Sequence, residues 1–135
     1  MRPEIGRALT ALGILLAAGT LWAHHSPSAE FDMSKRFTLS GTLTSVDWVN
    51  PHIDVFMEVK GANGQTESWK LETNPPAWFK RVGVNKTDFA KAIGQTVTVE
   101  GNRAKDGSAY AYMLKITFAD GSSMELVSNS QTDGK

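Results

Sequence analysis

Short runs in which apolar and polar residues alternate, cut by turn signals, constrain the fold of this chain more than any other feature. A period of two turns one face of a strand to a core and the other to solvent. Phe37 to Leu43 alternates in this way, and so does His52 to Lys60, with Ile53, Val55, Met57 and Val59 on one face. Gln65 to Glu72 reads as a third strand, with Trp69 and Leu71 its bulky residues. Gln95 to Glu100 reads as a fourth, with Val97 and Val99 inward, and Tyr110, Tyr112, Leu114, Ile116 and Phe118 alternate through a fifth. Asp120-Gly121 then turns the chain into a short run, Met124 to Val127. Gly61 to Gly64 and Asp106-Gly107 are hairpin signals. Within the first run the phase changes, because Val46 and Trp48 do not share the parity of Leu39 and Leu43. A bulge or a coiled strand is expected there, with Gly41 as the candidate bend point.

One segment breaks the strand pattern. Asn74-Pro75-Pro76 ends the third strand, and Pro76 suits the first turn of a helix over Ala77 to Val82, closed by Gly83. Asn85 or Thr87 can cap a second short turn through Ala92, with Phe89 and Ile93 at i and i+4 facing the core. Three strands, a helical insertion and two or three more strands is the order of the Greek-key barrel called the OB-fold. The fold class expected is therefore all-β with a short helical insertion, in a small OB-fold-like five- or six-stranded barrel. An open sheet or sandwich of similar size is the alternative.

The ends of the chain differ from its middle. Residues 1–23 have the parts of a secretory signal peptide: Arg2 and Arg7, an uncharged run from Ala8 to Trp22, and Ala23 at the cleavage point. That run is shorter than the roughly 20 residues a membrane span needs. Export to a bacterial periplasm is expected, with no membrane span after processing. Removing the signal from the 135 residues leaves 112, with 12 cationic and 13 anionic side chains and a net charge of −1. Residues 24–36 read as a polar N-terminal arm pinned by Phe31 and Met33, 37–127 as the barrel domain, and 128–135 as a disordered tail. The near-neutral charge argues against nucleic acid as a partner. The chain has no Cys, so a metal ion would have to be held by His, Met, carboxylate, Trp or backbone groups.

The three histidines are the candidate metal ligands. His24 and His25 would open the processed chain. A free N-terminal His offers its α-amine and its Nδ1 to one ion, closing a chelate ring. The ordinary pKa values of the two groups, about 8 and about 6.5, let both lose their protons near neutrality. With His52 as a third nitrogen the set becomes planar, a geometry that suits Cu(II). Cleavage one residue earlier would place a His third, after Ala23 and His24, which also binds Cu(II) or Ni(II). Against this stands the plainer reading that a leading His pair needs no role and His52 caps the Asn50-Pro51 turn.

Trp48-Val49-Asn50-Pro51-His52 is the most distinctive local string. Trp48 could shield a cation near His52, and Met57 could add a soft thioether, although Met57 shares the phase of core residues. Glu72 could join the ligands or orient a histidine. Trp78 and Phe79 are expected to plug one end of the barrel or to present a partner-binding patch. There is no Gly-x-Ser-x-Gly elbow, phosphate loop or His-Glu-x-x-His helix, so binding is expected in place of catalysis.

These strings resemble a group of small exported bacterial proteins of unknown function. The shared features are His24-His25-Ser26, Gly41-Thr42-Leu43, Trp48 to His52, Trp69, Val97 to Gly101 and Ala104 to Gly107. The resemblance spans nearly the whole processed chain and implies an exported OB-like domain. The chain is also similar to periplasmic OB-barrel copper chaperones, which hold Cu(I) with His, two Met and Trp. His52, Met57 and Trp48 match that set, but a Met-x-Met pair is missing. The leading histidine resembles that of periplasmic proteins with a copper-holding histidine brace. Two readings follow. One is a periplasmic protein with copper as its cofactor, bound by His24, His25 and His52. The other is a metal-free module that binds another envelope protein, a peptide or a glycan through Trp48, Trp69 or Trp78.

Overall fold

The computed structural model describes residues 26–126. The elements run α1 (Pro27–Glu30), β1 (Phe31–Asp47), β2 (Asp54–Lys60), β3 (Thr66–Glu72), α2 (Pro76–Arg81), α3 (Lys86–Ala90), β4 (Thr96–Ala104), β5 (Tyr110–Thr117) and β6 (Ser123–Glu125). The strands follow the order β3-β2-β1-β4-β5-β6, and β3 also pairs with β5. That last pairing is parallel, from Lys70↔Tyr110 to Glu72↔Tyr112, and it closes a five-stranded ring. The OB-like barrel expected from the order of strands and helices is the architecture found, with β6 as an added strand on β5.

Strand β1 is long because it serves two neighbours. Arg36 to Thr42 pairs with β4, and Thr42 to Asp47 pairs with β2. The phase change lies at Thr44, the extra residue between Leu43↔Met57 and Ser45↔Phe56. A bulge of this kind turns both Leu43 and Val46 toward the core. Gly41 stands close by for a different reason. A Cβ there would lie 2.3 Å from the Glu58 carbonyl oxygen and 2.9 Å from the Met57 methyl, so the strands cross too closely for any side chain.

Strand β5 hides a second bulge. Between Glu100↔Lys115 and Gly101↔Met113, Leu114 is the extra residue. Ala111, Met113 and Ile116 enter the main core, whereas Tyr112 and Leu114 join Phe31 and Ala104 in a smaller core, with Tyr110 packed against it. The single alternation read from Tyr110 to Phe118 is thus two phases joined at Leu114. Phe31 is fully buried and begins β1, so the segment expected as an arm is a strand from that residue on, while Met33 stays 45% exposed.

The helices close one end of the barrel with aromatic rings. Phe79 of α2 and Phe89 of α3 are fully buried, 5.7 Å apart, and Trp48 lies 5.3 Å from Phe79. Asn85 caps α3: its side chain accepts from the Thr87 N–H, and Asp88 accepts from the Asn85 N–H. Ile93 does not face the core. Helix α3 ends at Ala90, so the four-residue spacing from Phe89 lapses; Ala92 is buried and Ile93 is 46% exposed.

Candidate functional site

Ile53 is fully buried, and the β2–β3 ladder runs on past Asp54↔Glu72 through it. The Ile53 N–H donates to Asn74 O, and the Thr73 N–H donates to Ile53 O. The residue before Ile53 is thereby fixed beside the end of β3. There His52 Nδ1 lies 3.0 Å from Glu72 Oε1, with the His52 side chain about one-third exposed.

Alternation along β3 points Trp69, Leu71 and Thr73 inward and Lys70, Glu72 and Asn74 outward. The parallel pairing brings β5 alongside, so Tyr110 and Tyr112 stand next to the outward set. The Tyr110 hydroxyl donates to Glu72 Oε2. The two carboxylate oxygens of Glu72 therefore meet an imidazole and a phenol. Lys70 Nζ lies 3.0 Å from Asp54 Oδ2 and 5.0 Å from the Tyr110 ring centre. Tyr112 donates to Asn74 Oδ1 at 3.4 Å, and the Asn74 amide donates to the Leu126 carbonyl.

Burial and the neighbouring Glu72 carboxylate raise the pKa of both phenols above the ordinary tyrosine range. Each stays protonated and able to donate throughout the neutral range. Glu30 adds to the effect on Tyr110, which places the end of α1 near this cluster. Phe31 is there as well, edge-on to Tyr110 at 4.9 Å and 5.6 Å from Tyr112. Lys105 also holds α1, its N–H donating to Glu30 O and its ammonium to Ser28 O.

Of the candidate residues, the structure brings His52 and Glu72 together. Trp48 is half-buried among Phe79 and Phe89 at the helical end, so its ring faces belong to the core. Met57 is buried between Leu43 and Trp69 on the inward face, away from the outward set. His24 and His25 lie outside the described residues, as do residues 1–23, expected as a signal peptide, and 128–135, expected as a tail. Among the described residues no three His, Cys, Asp or Glu side chains gather as a metal site, and no helix is long and apolar enough to cross a membrane. Tyr110 and Asn74 escaped the sequence reading. Their only signal was that tyrosines at 110 and 112 carry hydroxyls a core would have to satisfy.

Residues 12–113 match a family of unknown function (DUF6152). No match was found among curated proteins or among solved structures.

Proposed function

For this chain, which belongs to the DUF6152 family of unknown function, we propose the role of an exported bacterial metal-binding protein. It holds a copper ion between His52 and the leading histidines His24 and His25, in the periplasm and after removal of residues 1–23. The observation that carries the reading is the His52–Glu72 pair, lying on the tyrosines against which Phe31 packs. A carboxylate on Nδ1 leaves Nε2 free as a donor, the arrangement by which proteins orient ligand histidines and raise their basicity. Few residues separate the leading histidines from Phe31, which packs on Tyr110. From Phe31 back through α1 to His25, the chain spans at most about 13 Å at helical and extended rises. An α-amine and imidazoles together favour Cu(II).

The interaction-module reading has less support. Trp69 is buried, and Trp48 and Trp78 both pack on Phe79. The test is Cu(II) titration of the processed protein, with its start fixed by intact mass. One ion per chain is expected, and His52→Ala or one residue added before His24 should each weaken binding by more than about tenfold, since losing a ligand costs more than losing the outer partner for which that scale holds. Affinity unchanged in both variants would remove the proposal.

A further inference from the structure

Glu72 can orient His52 only if its own carboxylate is held. A lone side-chain carboxylate rotates, and Lys70, two residues before it on the same face, offers a competing cation. The atom that holds it is the Tyr110 hydroxyl, donated from β5 to Glu72 Oε2, while Oε1 faces His52 Nδ1. The phenol is itself fixed. Its ring meets Phe31 edge-on at 4.9 Å, and the Lys70 ammonium lies over it at 5.0 Å. Lys70 is in turn occupied by Asp54 at 3.0 Å. The hydrogen bonds thus have one direction: phenol O–H to carboxylate, and imidazole Nδ1–H to the other carboxylate oxygen.

The geometry points to Tyr110 as a positioning residue that fixes the tautomer of His52, with the proton on Nδ1 and the lone pair on Nε2 turned away from Glu72. It touches no metal and acts through Glu72. The same ring seats Phe31, so one side chain sets both the donor atom of His52 and the landing point of the segment that carries His24 and His25. This role rests on the reading of His52 as a ligand, yet its first test uses metal-free protein.

The experiment is nitrogen-15 NMR of the histidine rings in the metal-free chain, at a pH where the imidazole is neutral, with the His52 signals identified by their loss in His52→Gln. Unmutated protein should show His52 with Nδ1 protonated. Tyr110→Phe keeps the ring that packs on Phe31 and removes the hydroxyl. It should give a mixture of both tautomers, whereas Tyr112→Phe, whose hydroxyl lies on Asn74, should leave His52 as it was. Cu(II) affinity should fall on the order of tenfold in Tyr110→Phe, within the range for a lost outer partner. A proton on Nε2 in the unmutated protein overturns the inference even if the variant does not fold. So does a folded Tyr110→Phe chain with an unchanged tautomer. If the tautomer shifts as described but the unmutated chain takes up no Cu(II), the hydrogen-bond relay stands and the copper reading falls.

Discussion

Thr73 presents a physical problem at the scale of a single side chain. It is fully buried on the inward face of the strand end, and its Oγ1 has no hydrogen-bond partner among the described residues. A buried hydroxyl left unpaired costs about 1–3 kcal/mol, while an apolar group of the same shape carries no such cost. Thr73→Val should therefore stabilise the domain by about 1 kcal/mol. In urea unfolding the midpoint should move up with an unchanged slope; a lower midpoint would mean that the hydroxyl has a partner after all. Gly41 gives the opposite sign. Its missing side chain faces the Glu58 carbonyl at a distance no Cβ tolerates, and that neighbour is backbone. Gly41→Ala should cost about 2 kcal/mol, typical of overpacking that forces the backbone to move. The sequence marked Gly41 as a candidate bend point, whereas the close crossing is what the structure adds. A bend is a local property, whereas a close crossing depends on a partner strand that no local string encodes.

Among the elements, α3 and the turns carry the next expectations. With only five residues, α3 depends on its cap, where Asn85 and Asp88 satisfy one N–H each. Asn85→Ala should cost about 1 kcal/mol in the same unfolding measurement, and Thr87→Val, which leaves the cap intact, much less. Asp32, Asp106 and Asp120 each accept from the hydroxyl and N–H of the serine two residues on. Those bonds hold all three carboxyls below the ordinary aspartate range. A lowered folded value means a contribution that is present above the unfolded value and lost as pH falls through the folded one. NMR titration should find Asp106 below an ordinary aspartate and Ser108→Ala returning it upward; no change would detach the shift from this turn. The strands and helices themselves were legible, because alternation, hairpin pairs and Pro75-Pro76 are local signals. The bulges at Thr44 and Leu114 were not equally so. The first showed as a change of parity, while the second was masked, since Tyr112, Leu114 and Ile116 are all apolar enough for a core and two cores receive them. That mistake in phase hid Tyr110 from the candidate site. His52 and Glu72 could be named because each flanks a Pro-containing turn at a strand end.

For the whole molecule, the weakest part of the ring is the seam where β3 meets β5, only three residue pairs long. Glu72, Tyr110, Asn74 and Tyr112 lie across it, so the candidate site also holds the barrel closed. Both phenols have raised pKa values, first from burial and then from Glu72. The folded chain thus keeps two protons that the unfolded chain gives up. The sign follows: their stabilisation is complete below the ordinary tyrosine value of about 10, and it is lost progressively as pH rises beyond that. Ionising Tyr110 would set a phenolate against the Glu72 carboxylate across the seam, turning a hydrogen bond into a repulsion. Unfolding midpoints measured from about pH 8 upward should be flat at first and then fall above about pH 10, with the phenolate absorbance appearing together with unfolding and not before it. Amide exchange at Lys70 to Glu72 should quicken ahead of exchange on the long β1–β4 pairing. Tyr110→Phe should be less stable at neutral pH, having lost the bond to Glu72, but its decline at high pH should be shallower. A decline as steep as that of the unmutated chain would show that alkali attacks the barrel elsewhere, and that the seam does not depend on this phenol.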